Sequence, residues 1–401
     1  MSFLPRVLFL NPWDRWIGPN RYLAEMLHHA PELAQKAVVV FSEENNALDE
    51  YRALGCQVFI QRETAQVRAR FRGRNLWEMV GRNSVGVKPV IRLLRLVQPE
   101  LVVSNTEQLW VGGMAARLAG VPHLQIFHAL TFAYRLGNYP GLIQGYLRFL
   151  SFWSQRVVAV SETLKKALME GSLSATKVVT IPNPIPVEEL KMAPSGPLSQ
   201  DLESHLQARE PILLSAGGFF PKKGQDQLIE ALPAIKEKYP QVLCLFAGAV
   251  GASNGWEDTA GFFRKLKRRV AELHLEENVF FLGEVDYLPS LMKRAGIYVQ
   301  TSWTESFGRA GAEALVCHTP VVAFEVGALR EAVGPGAVLV KSGDIRKLTQ
   351  AILDLLAHPH HREQLVLDGS KHVERFYDAQ KVAPCFAQVL ASTAAQKAGF
   401  Y

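Results

Sequence analysis

Several features that would assign the chain to a common class of protein are absent. Its four cysteines (Cys56, Cys244, Cys317 and Cys385) form no C-x-x-C pair and have no histidine cluster beside them, which argues against a zinc site and a disulfide-stapled secreted fold. No run of about eighteen apolar residues predicts a membrane span, and the run at 7–10 is too short for a signal-peptide core. The sequence predicts a soluble cytoplasmic protein, in which any membrane contact is peripheral, at the inner face of the plasma membrane.

Motifs of several enzyme classes are missing as well. There is no G-K-[ST] phosphate loop and no G-x-G-x-x-G, so ATPase and dinucleotide-binding interpretations lose their main support. The absence of G-x-S-x-G disfavours a serine hydrolase. Because no D-x-D and no His, Cys and Asp set with metal-ligand spacing occurs, we expect no catalytic metal and no bound cofactor.

The composition is that of a large globular protein. With 401 residues, 48% of them hydrophobic and 20% charged, the chain exceeds what one hydrophobic core usually organises. We therefore expect two domains of ordinary size.

Short apolar runs recur along the chain with helical patterns between them. Runs without polar alternation are typical of strands buried on both faces of a parallel sheet that helices cover. In the first half these runs are 7–10, 38–41, 101–103, 124–127, 157–160 and 178–181. In the second half they are 212–215, 243–247, 279–282, 297–300, 321–324 and 338–340.

The alternation stops between residues 183 and 211, where prolines, serines and a glycine indicate a linker. We predict an α/β fold with two tandem Rossmann-like parallel-sheet domains, at 1–190 and 211–377, joined by a linker at 191–210. The residues at 378–401 have a helical pattern and are expected to return across the domain seam and pack toward the N-terminal domain.

Positive charge is concentrated in one segment. Residues 62–95 contain nine basic side chains and two acids, a local balance that accounts for the whole net charge of +6. Apolar residues lie between the arginines, as in surfaces that contact anionic lipid headgroups. A solvated helical face, or a loop that folds over an anionic acceptor, fits the same pattern. Nucleic acid is not expected as a partner, because no stacking motif or recognition helix accompanies the charge.

A polar segment follows the run at 297–300. Ser306 is a good N-cap for a helix beginning at Phe307, whose first backbone amides, through Gly308 and Arg309, would suit a phosphate or a polar sugar. Glu313 lies seven residues past that cap, about 10 Å along the axis, which matches the span from a diphosphate to its ribose. A pair of glutamates eight positions apart, such as Glu305 and Glu313, is also common on solvated helices.

A glycine-bounded loop follows the first strand of the second domain. It runs from Gly217 and Gly218 through Pro221 to Lys223 and Gly224, and its lysine can reach a phosphate as a point charge. Taken alone, Lys222 and Lys223 are better explained as surface charge on a turn.

The first domain offers two candidates. Gly18 follows the first strand, where a glycine lets the backbone approach a ligand closely. His128 lies at the end of a buried strand and so faces the crevice in which ligands bind to open parallel sheets. A lone histidine is more often structural than functional.

Together these segments resemble family-4 retaining glycosyltransferases of the GT-B fold, also described as glycosyl transferases group 1. Glu305, Phe307 with Gly308, and Glu313 match the family's Glu, Phe-Gly and second Glu. The family's G-x-x-x-P-x-K-G loop is matched at Gly217, Pro221, Lys223 and Gly224, and His128 falls where the family has its active-site His. Two departures stand out: Gly218 replaces the usual Arg, and the first-domain Gly-Gly loop is Gly18 followed by Pro19.

The resemblance implies a role for each matching residue. Residues 1–190 would bind the acceptor and 211–377 the nucleotide sugar. His128 and Glu305 would be catalytic, acting at the transferring sugar. The donor would be bound by Gly18, Gly217, Gly218, Lys223, Ser306, Phe307, Gly308, Arg309 and Glu313.

The implied activity is retaining transfer of a hexose from a nucleotide diphosphate sugar to a saccharide or lipid-linked acceptor, in cell-surface polysaccharide or glycolipid synthesis. A UDP-sugar is the first expectation for the donor and GDP-mannose the next. Two alternatives remain open: a nucleotide-sugar epimerase, and a non-catalytic sugar- or lipid-binding protein on the same scaffold.

Overall fold

The computed structural model describes residues 4–12, 18–62, 74–129, 140–194, 203, 206, 209–250 and 258–396, without the side chains of 74–84, 140 and 142. Its contacts divide the chain into two compact units. Unit 1 comprises Met1–Pro184 and Ala379–Tyr401, and unit 2 comprises Ile185–Asp378. The chain thus passes from one unit to the other within the proline-rich stretch that begins at residue 183.

Unit 1 is built on a seven-stranded sheet with the order β3-β2-β1-β4-β5-β6-β7. Neighbouring strands are parallel throughout. The strands are β1 (Val7–Leu10), β2 (Ala37–Phe41), β3 (Gln57–Ile60), β4 (Leu101–Ser104), β5 (His123–Phe127), β6 (Arg156–Ala159) and β7 (Val178–Thr180). The central strands are buried on both faces, which explains their unbroken apolar runs.

Two apolar clusters cover the sheet of unit 1. One lies under the helix that precedes β4 and the helix that follows it, and the other is larger and includes the C-terminal helix. The helices before β6 are α1 (Gly18–His28), α2 (Pro31–Ala34), α3 (Ala47–Ala53), α4 (Arg74–Val97), α5 (Val111–Leu118) and α6 (Pro140–Trp153). Helix α7 (Glu162–Glu170) connects β6 to β7 and is capped by the Ser161 hydroxyl, which accepts a hydrogen bond from the Leu164 amide.

Unit 2 contains a six-stranded parallel sheet with the order β10-β9-β8-β11-β12-β13. The strands are β8 (Ile212–Ala216), β9 (Leu243–Ala247), β10 (Val279–Gly283), β11 (Ile297–Gln300), β12 (Val321–Phe324) and β13 (Ala337–Val340). Strand order reverses between β8 and β11, and the carboxyl ends of strands at such a switch point form a crevice for ligands.

The helices of unit 2 alternate with its strands. They are α8 (Val187–Met192), α9 (Gln225–Lys238), α10 (Thr259–Glu272), α11 (Leu288–Arg294), α12 (Arg309–Val316), α13 (Leu329–Val333), α14 (Ile345–Ala357) and α15 (Pro359–Phe376). Short 3-10 turns cover Pro221–Lys223 and Gly334–Gly336. Part of the proline-rich stretch is therefore helical, since α8 lies within it.

The C-terminal helix α16 (Ala379–Ala394) packs within unit 1, against α1, β4 and β5. Phe386 is fully buried there, with its ring 6.4 Å from that of Phe9 and 6.1 Å from that of Tyr22. Helix α16 thus completes the core to which the first strand contributes.

The predicted fold class is confirmed: both sheets are parallel and covered by helices. Each predicted run coincides with a strand to within a residue or two. Strand β3 was not predicted, because it lies at the sheet edge, where its four residues remain partly or fully exposed. In the part of the chain that the structure describes, no helix is both long enough and apolar enough to cross a membrane.

Candidate functional site

The loop after β8 is shaped by two glycines with positive φ. Gly217 has φ +145° and donates its amide to the Ala247 carbonyl at 2.8 Å, and Gly224 has φ +63° where helix α9 begins. A Cβ on Gly224 would lie 2.1 Å from the carbonyl oxygen of Thr301. At position 224 both the positive φ and the lack of space for a Cβ require glycine. The contact with Thr301 also shows that the loop lies against the segment that follows β11.

Gly218 is the residue at which the family resemblance implies an arginine. A Cβ there would lie 2.5 Å from the ring of Phe220, so the ring occupies the start of the path that a side chain would take. The ammonium of Lys222 lies 5.3 Å from the centroid of the same ring. The loop therefore has a lysine ammonium beside the aromatic ring that adjoins Gly218.

Lys223 and Glu305 form an ion pair between the two predicted loops. The Lys223 ammonium donates to Oε1 of Glu305 at 2.7 Å. Oε1 also accepts from the Gln300 amide at 2.9 Å and from the Ser302 hydroxyl at 2.8 Å. Burial raises the pKa of the Glu305 carboxyl, but the charge of Lys223 and these hydrogen bonds outweigh it and leave the pKa below its ordinary value.

Further hydrogen bonds join the same two loops. The Thr301 hydroxyl donates to the Gly224 carbonyl at 2.7 Å, and the Trp303 amide donates to the Lys222 carbonyl at 2.8 Å. Because β8 and β11 are neighbouring strands, their following loops meet at the carboxyl edge of the sheet. This edge is the place where open parallel sheets bind ligands.

The start of helix α12 corrects one prediction. The helix begins at Arg309 rather than Phe307, and its N-cap is Gly308, with φ +104°, rather than Ser306. Phe307 is 3% exposed, with its ring 5.0 Å from that of Tyr377, so its burial draws the chain inward before the helix can begin. The amides of the first turn of a helix point away from its own carbonyls, and in α12 that turn begins at Arg309.

Glu313 lies one turn into α12 and is paired with Arg309. The Arg309 Nε donates to Glu313 Oε1 at 2.6 Å, and the two side chains are only 13% and 6% exposed. Because the helix starts later than predicted, Glu313 lies five residues past the observed cap, Gly308, instead of seven past the predicted cap, Ser306. Its distance from the cap along the axis is therefore about 7.5 Å instead of about 10 Å. The pair nevertheless lies on the helix that points its N-terminus at the same edge.

His128 follows β5 in unit 1 and belongs to a polar cluster at the carboxyl edge of that sheet. Its Nε2 lies 2.8 Å from Oδ1 of Asn105, which follows β4. Asn105 donates from Nδ2 to the side chain of Asn11, which follows β1, and to the carbonyl of Pro19 at the start of α1. The ring of Tyr22 packs against the imidazole in a T-shaped arrangement, with ring centroids 5.1 Å apart.

Gly18 is the first residue of α1 and is exposed. A Cβ built there has no atom within 4 Å, so no contact within unit 1 explains a glycine at this position. The structure thus groups the predicted residues by unit: Gly18 and His128 at the sheet edge of unit 1, the others at the sheet edge of unit 2.

Sequence reasoning missed several polar residues at these edges. Gln225 is 3% exposed and donates to the carbonyl of Gly218 at 3.1 Å, which holds the loop after β8. Asn11, Asn105 and Gln300 are also buried. Each of these three ends or follows a strand beside the switch point of its sheet, and that position in the sequence is the signal that would have found them.

Comparison with known proteins bears on what this arrangement does. The model of the family "Glycosyltransferase Family 4" matches residues 16–189, and that of "Glycosyl transferases group 1" matches residues 200–372. The two matches together cover most of the chain. The chain belongs to these glycosyltransferases of the GT-B fold.

Relatives of known function are similar at low identity. The phosphatidyl-myo-inositol mannosyltransferase of Mycobacterium leprae is 29% identical over 70% of each chain. The D-inositol 3-phosphate glycosyltransferase 2 of Catenulispora acidiphila is 23% identical over 90% of this glycosyltransferase and 86% of its own length. Alignments with two other relatives are shorter and span 42% and 52% of those proteins.

The fold also matches solved structures. Anabaena Alr3699/HepE, crystallised in complex with UDP and glucose, is 21% identical and superposes with a TM-score of 0.77 over 96% of this chain and 99% of its own. At that identity the likeness establishes the fold of the glycosyltransferase alone.

Proposed function

We propose that this glycosyltransferase transfers a hexose from a nucleotide diphosphate sugar to a hydroxyl of a saccharide or lipid-linked acceptor, with retention of anomeric configuration and without a metal ion. The observation that carries the proposal is the Lys223–Glu305 pair, which lies with the start of α12 at the switch point of the unit 2 sheet. We expect a UDP-sugar as donor, with GDP-mannose next. The crystallisation of Alr3699/HepE with UDP-glucose supports the first, and the mannosyltransferase among the relatives the second.

The chemistry asks mainly for positive charge beside a departing diphosphate. A lysine ammonium and the N-terminus of a helix provide it, and both are pre-organised before the donor arrives. Lys223 is held by the Glu305 carboxylate in the structure described, so a diphosphate oxygen would replace or share that contact. Because this lysine and the helix N-terminus can stabilise the diphosphate, we propose that no metal ion is required.

Glu313 is proposed to bind the donor ribose. An ionised carboxylate accepts hydrogen bonds from hydroxyl groups, and Glu313 is the residue to which the family resemblance gives this role. Glu305 is proposed to approach the sugar ring, and His128 to contact the transferring sugar from unit 1. In a front-face displacement these groups act by positioning the reactants.

Product analysis tests the proposal. The protein is incubated with nucleotide diphosphate sugars and candidate acceptors, and the anomeric configuration of any product is read by NMR, with and without EDTA. We expect transfer with retention, unaffected by EDTA, and its loss in folded Lys223→Ala and Glu305→Ala proteins. Full activity in both variants would overturn the site. Conversion of a donor without acceptor would instead indicate an epimerase.

A membrane surface is proposed as a partner of unit 1, on the described half of α4. Val85 and Leu96 are 70% and 74% exposed on its outer face. Lys88, Arg92 and Arg95 are exposed on the same face, and the sequence has no acid between residues 78 and 100. Apolar side chains among cations suit an anionic lipid surface. Of the predicted basic segment, residues 63–73 and the side chains of 74–84 lie outside the described residues.

Vesicle binding tests this surface against a matched control. The variant K88Q/R92Q/R95Q removes three cations from α4, and R264Q/K267Q/R268Q removes three exposed cations from α10. We expect the wild type to sediment with phosphatidylglycerol vesicles but not with phosphatidylcholine vesicles. Binding should be lost in the α4 variant and kept in the α10 variant. Equal loss in both would show charge attraction without a specific surface. Peripheral location at the inner face of the plasma membrane follows from the same proposal.

A further inference from the structure

The polar cluster around His128 includes a buried network of asparagine side chains. Three asparagines from separate parts of the sequence meet at the carboxyl edge of the unit 1 sheet. Asn11 donates to Oδ1 of Asn20 at 2.6 Å, and Asn105 donates to Oδ1 of Asn11 at 3.1 Å. Asn11, Asn20 and Asn105 are all fully buried. Such a buried network is costly unless every donor meets an acceptor, so its hydrogen-bond directions are constrained.

A backbone carbonyl fixes the orientation of the Asn105 amide. The Pro19 carbonyl oxygen lies 3.1 Å from one terminal atom of that amide. A carbonyl only accepts, so this atom is the nitrogen Nδ2. The other terminal atom, which lies 2.8 Å from Nε2 of His128, is therefore the oxygen Oδ1.

The same reasoning locates the N–H hydrogen of the His128 imidazole. Since Oδ1 of Asn105 only accepts, Nε2 of His128 must carry the hydrogen in this contact. Burial lowers the pKa of His128 to about 3, so the ring is neutral at pH 7. A neutral imidazole has one N–H hydrogen. Because that hydrogen is on Nε2, Nδ1 has a lone pair and can accept a hydrogen bond.

We propose that Asn105 is a positioning residue that holds His128 in the tautomer protonated at Nε2, with Nδ1 as the atom that meets the ligand. Among the described residues, Nδ1 makes no hydrogen bond. An acceptor nitrogen selects a hydroxyl or amide hydrogen and not a phosphate oxygen. The ligand contact assigned to His128 rests on the proposed function, whereas the tautomer does not.

The tautomer is tested directly by NMR of protein labelled with 15N at its histidine rings, with the His128 signals identified by their loss in His128→Ala. At pH 7 we expect a single tautomer with an Nε2 hydrogen protected from solvent exchange. In Asn105→Leu that protection should disappear and the ring nitrogen shifts should move toward the average of two exchanging tautomers. An Nδ1-protonated ring in the wild type would overturn the proposal, even if Asn105→Leu failed to fold.

Two control variants separate positioning from general damage. Asn278→Leu removes a buried asparagine of unit 2, 4% exposed, whose amide donates to two backbone carbonyls. It should destabilise the protein without changing the His128 signals. Asn11→Ala leaves the Pro19 carbonyl in place, so the tautomer should persist. Loss of Nε2–H protection in either control would show that the tautomer does not depend on Asn105 in the way proposed.

A double-mutant cycle extends the test to catalysis. Asn105→Leu should lower transfer by about 3- to 10-fold, the range of one hydrogen bond, but should have little further effect in a His128→Ala background. Full additivity of the two changes would contradict a role through His128. Absence of transfer in the wild type would refute the proposed function and leave the NMR result to decide the tautomer.

Discussion

The Lys223 ammonium and the Glu305 carboxylate lie 2.7 Å apart although 82 positions separate them in the sequence. Each follows one of two neighbouring parallel strands, and the loops that carry them are joined by main-chain and side-chain hydrogen bonds. The pair is therefore built by the sheet rather than by either loop alone. It places a cation, held by a buried carboxylate, at the edge where a donor diphosphate is proposed to bind.

Replacing Lys223 should weaken donor binding. Lys223→Met removes the cation, and loss of one charged hydrogen bond is expected to raise the dissociation constant for a nucleoside diphosphate by about 10- to 100-fold. Lys238→Met, at the exposed end of α9, is the matched control and should leave binding unchanged. Calorimetric titration of both variants checks this, and equal affinities would place the diphosphate elsewhere.

The depressed pKa of Glu305 predicts a pH-dependent contribution to stability. A carboxyl whose pKa is lower in the folded state stabilises the protein above its unfolded pKa, about 4.3, and that contribution is lost as pH falls through the folded pKa. The difference in unfolding free energy between wild type and Glu305→Gln should therefore shrink on acidification from pH 7. Urea titrations at several pH values measure it. A constant difference would show that the pair contributes nothing through ionisation.

Gly218→Arg tests whether the loop can accept the arginine that the family resemblance implies at this position. Because a Cβ there meets the Phe220 ring, the single variant should bind donor no better than wild type. Gly218→Arg combined with Phe220→Ala should bind about tenfold more tightly, through an added charged hydrogen bond. Gly218→Ala reports the steric effect alone. Tighter binding by the single variant would show that the ring moves aside freely.

Gly308→Ala should be destabilising for two reasons. The φ of +104° is unfavourable for alanine, at about 1 to 3 kcal/mol, and the new methyl would lie 2.3 Å from Cδ1 of Leu329. Gly283→Ala is the control, since Gly283 also has positive φ but has no atom within 4 Å of a Cβ. Chemical denaturation should show the larger loss for Gly308→Ala. Equal losses would mean that the contact with Leu329 relaxes at no cost.

Much of the architecture follows from the sequence because both sheets are buried on two faces, which gives apolar runs at regular intervals. The edge strand β3 lacks that signature. At the site, the pattern around Glu305 and Lys223 located both loops, but the start of α12 was misplaced. Ser306 has the chemistry of an N-cap, yet burial of Phe307 against Tyr377, about seventy positions away, decides where the helix begins.

The asparagine cluster shows a second limit. Asn11 and Asn105 are ordinary polar residues after strands until the strand order β1-β4-β5 brings them beside His128. Only the hydrogen-bond directions in the fold then specify a tautomer. Spacing along the sequence contains no such information.

The most direct test of the central claim is thermal melting with a panel of nucleoside diphosphates and their sugars, on wild type and Lys223→Met. A ligand at 100 times its dissociation constant adds about 2.7 kcal/mol to the folded state. The account predicts a clear rise in melting temperature with one base and sugar in the wild type, and a much smaller rise in Lys223→Met. No rise with any of these ligands, or an equal rise in both proteins, would contradict it.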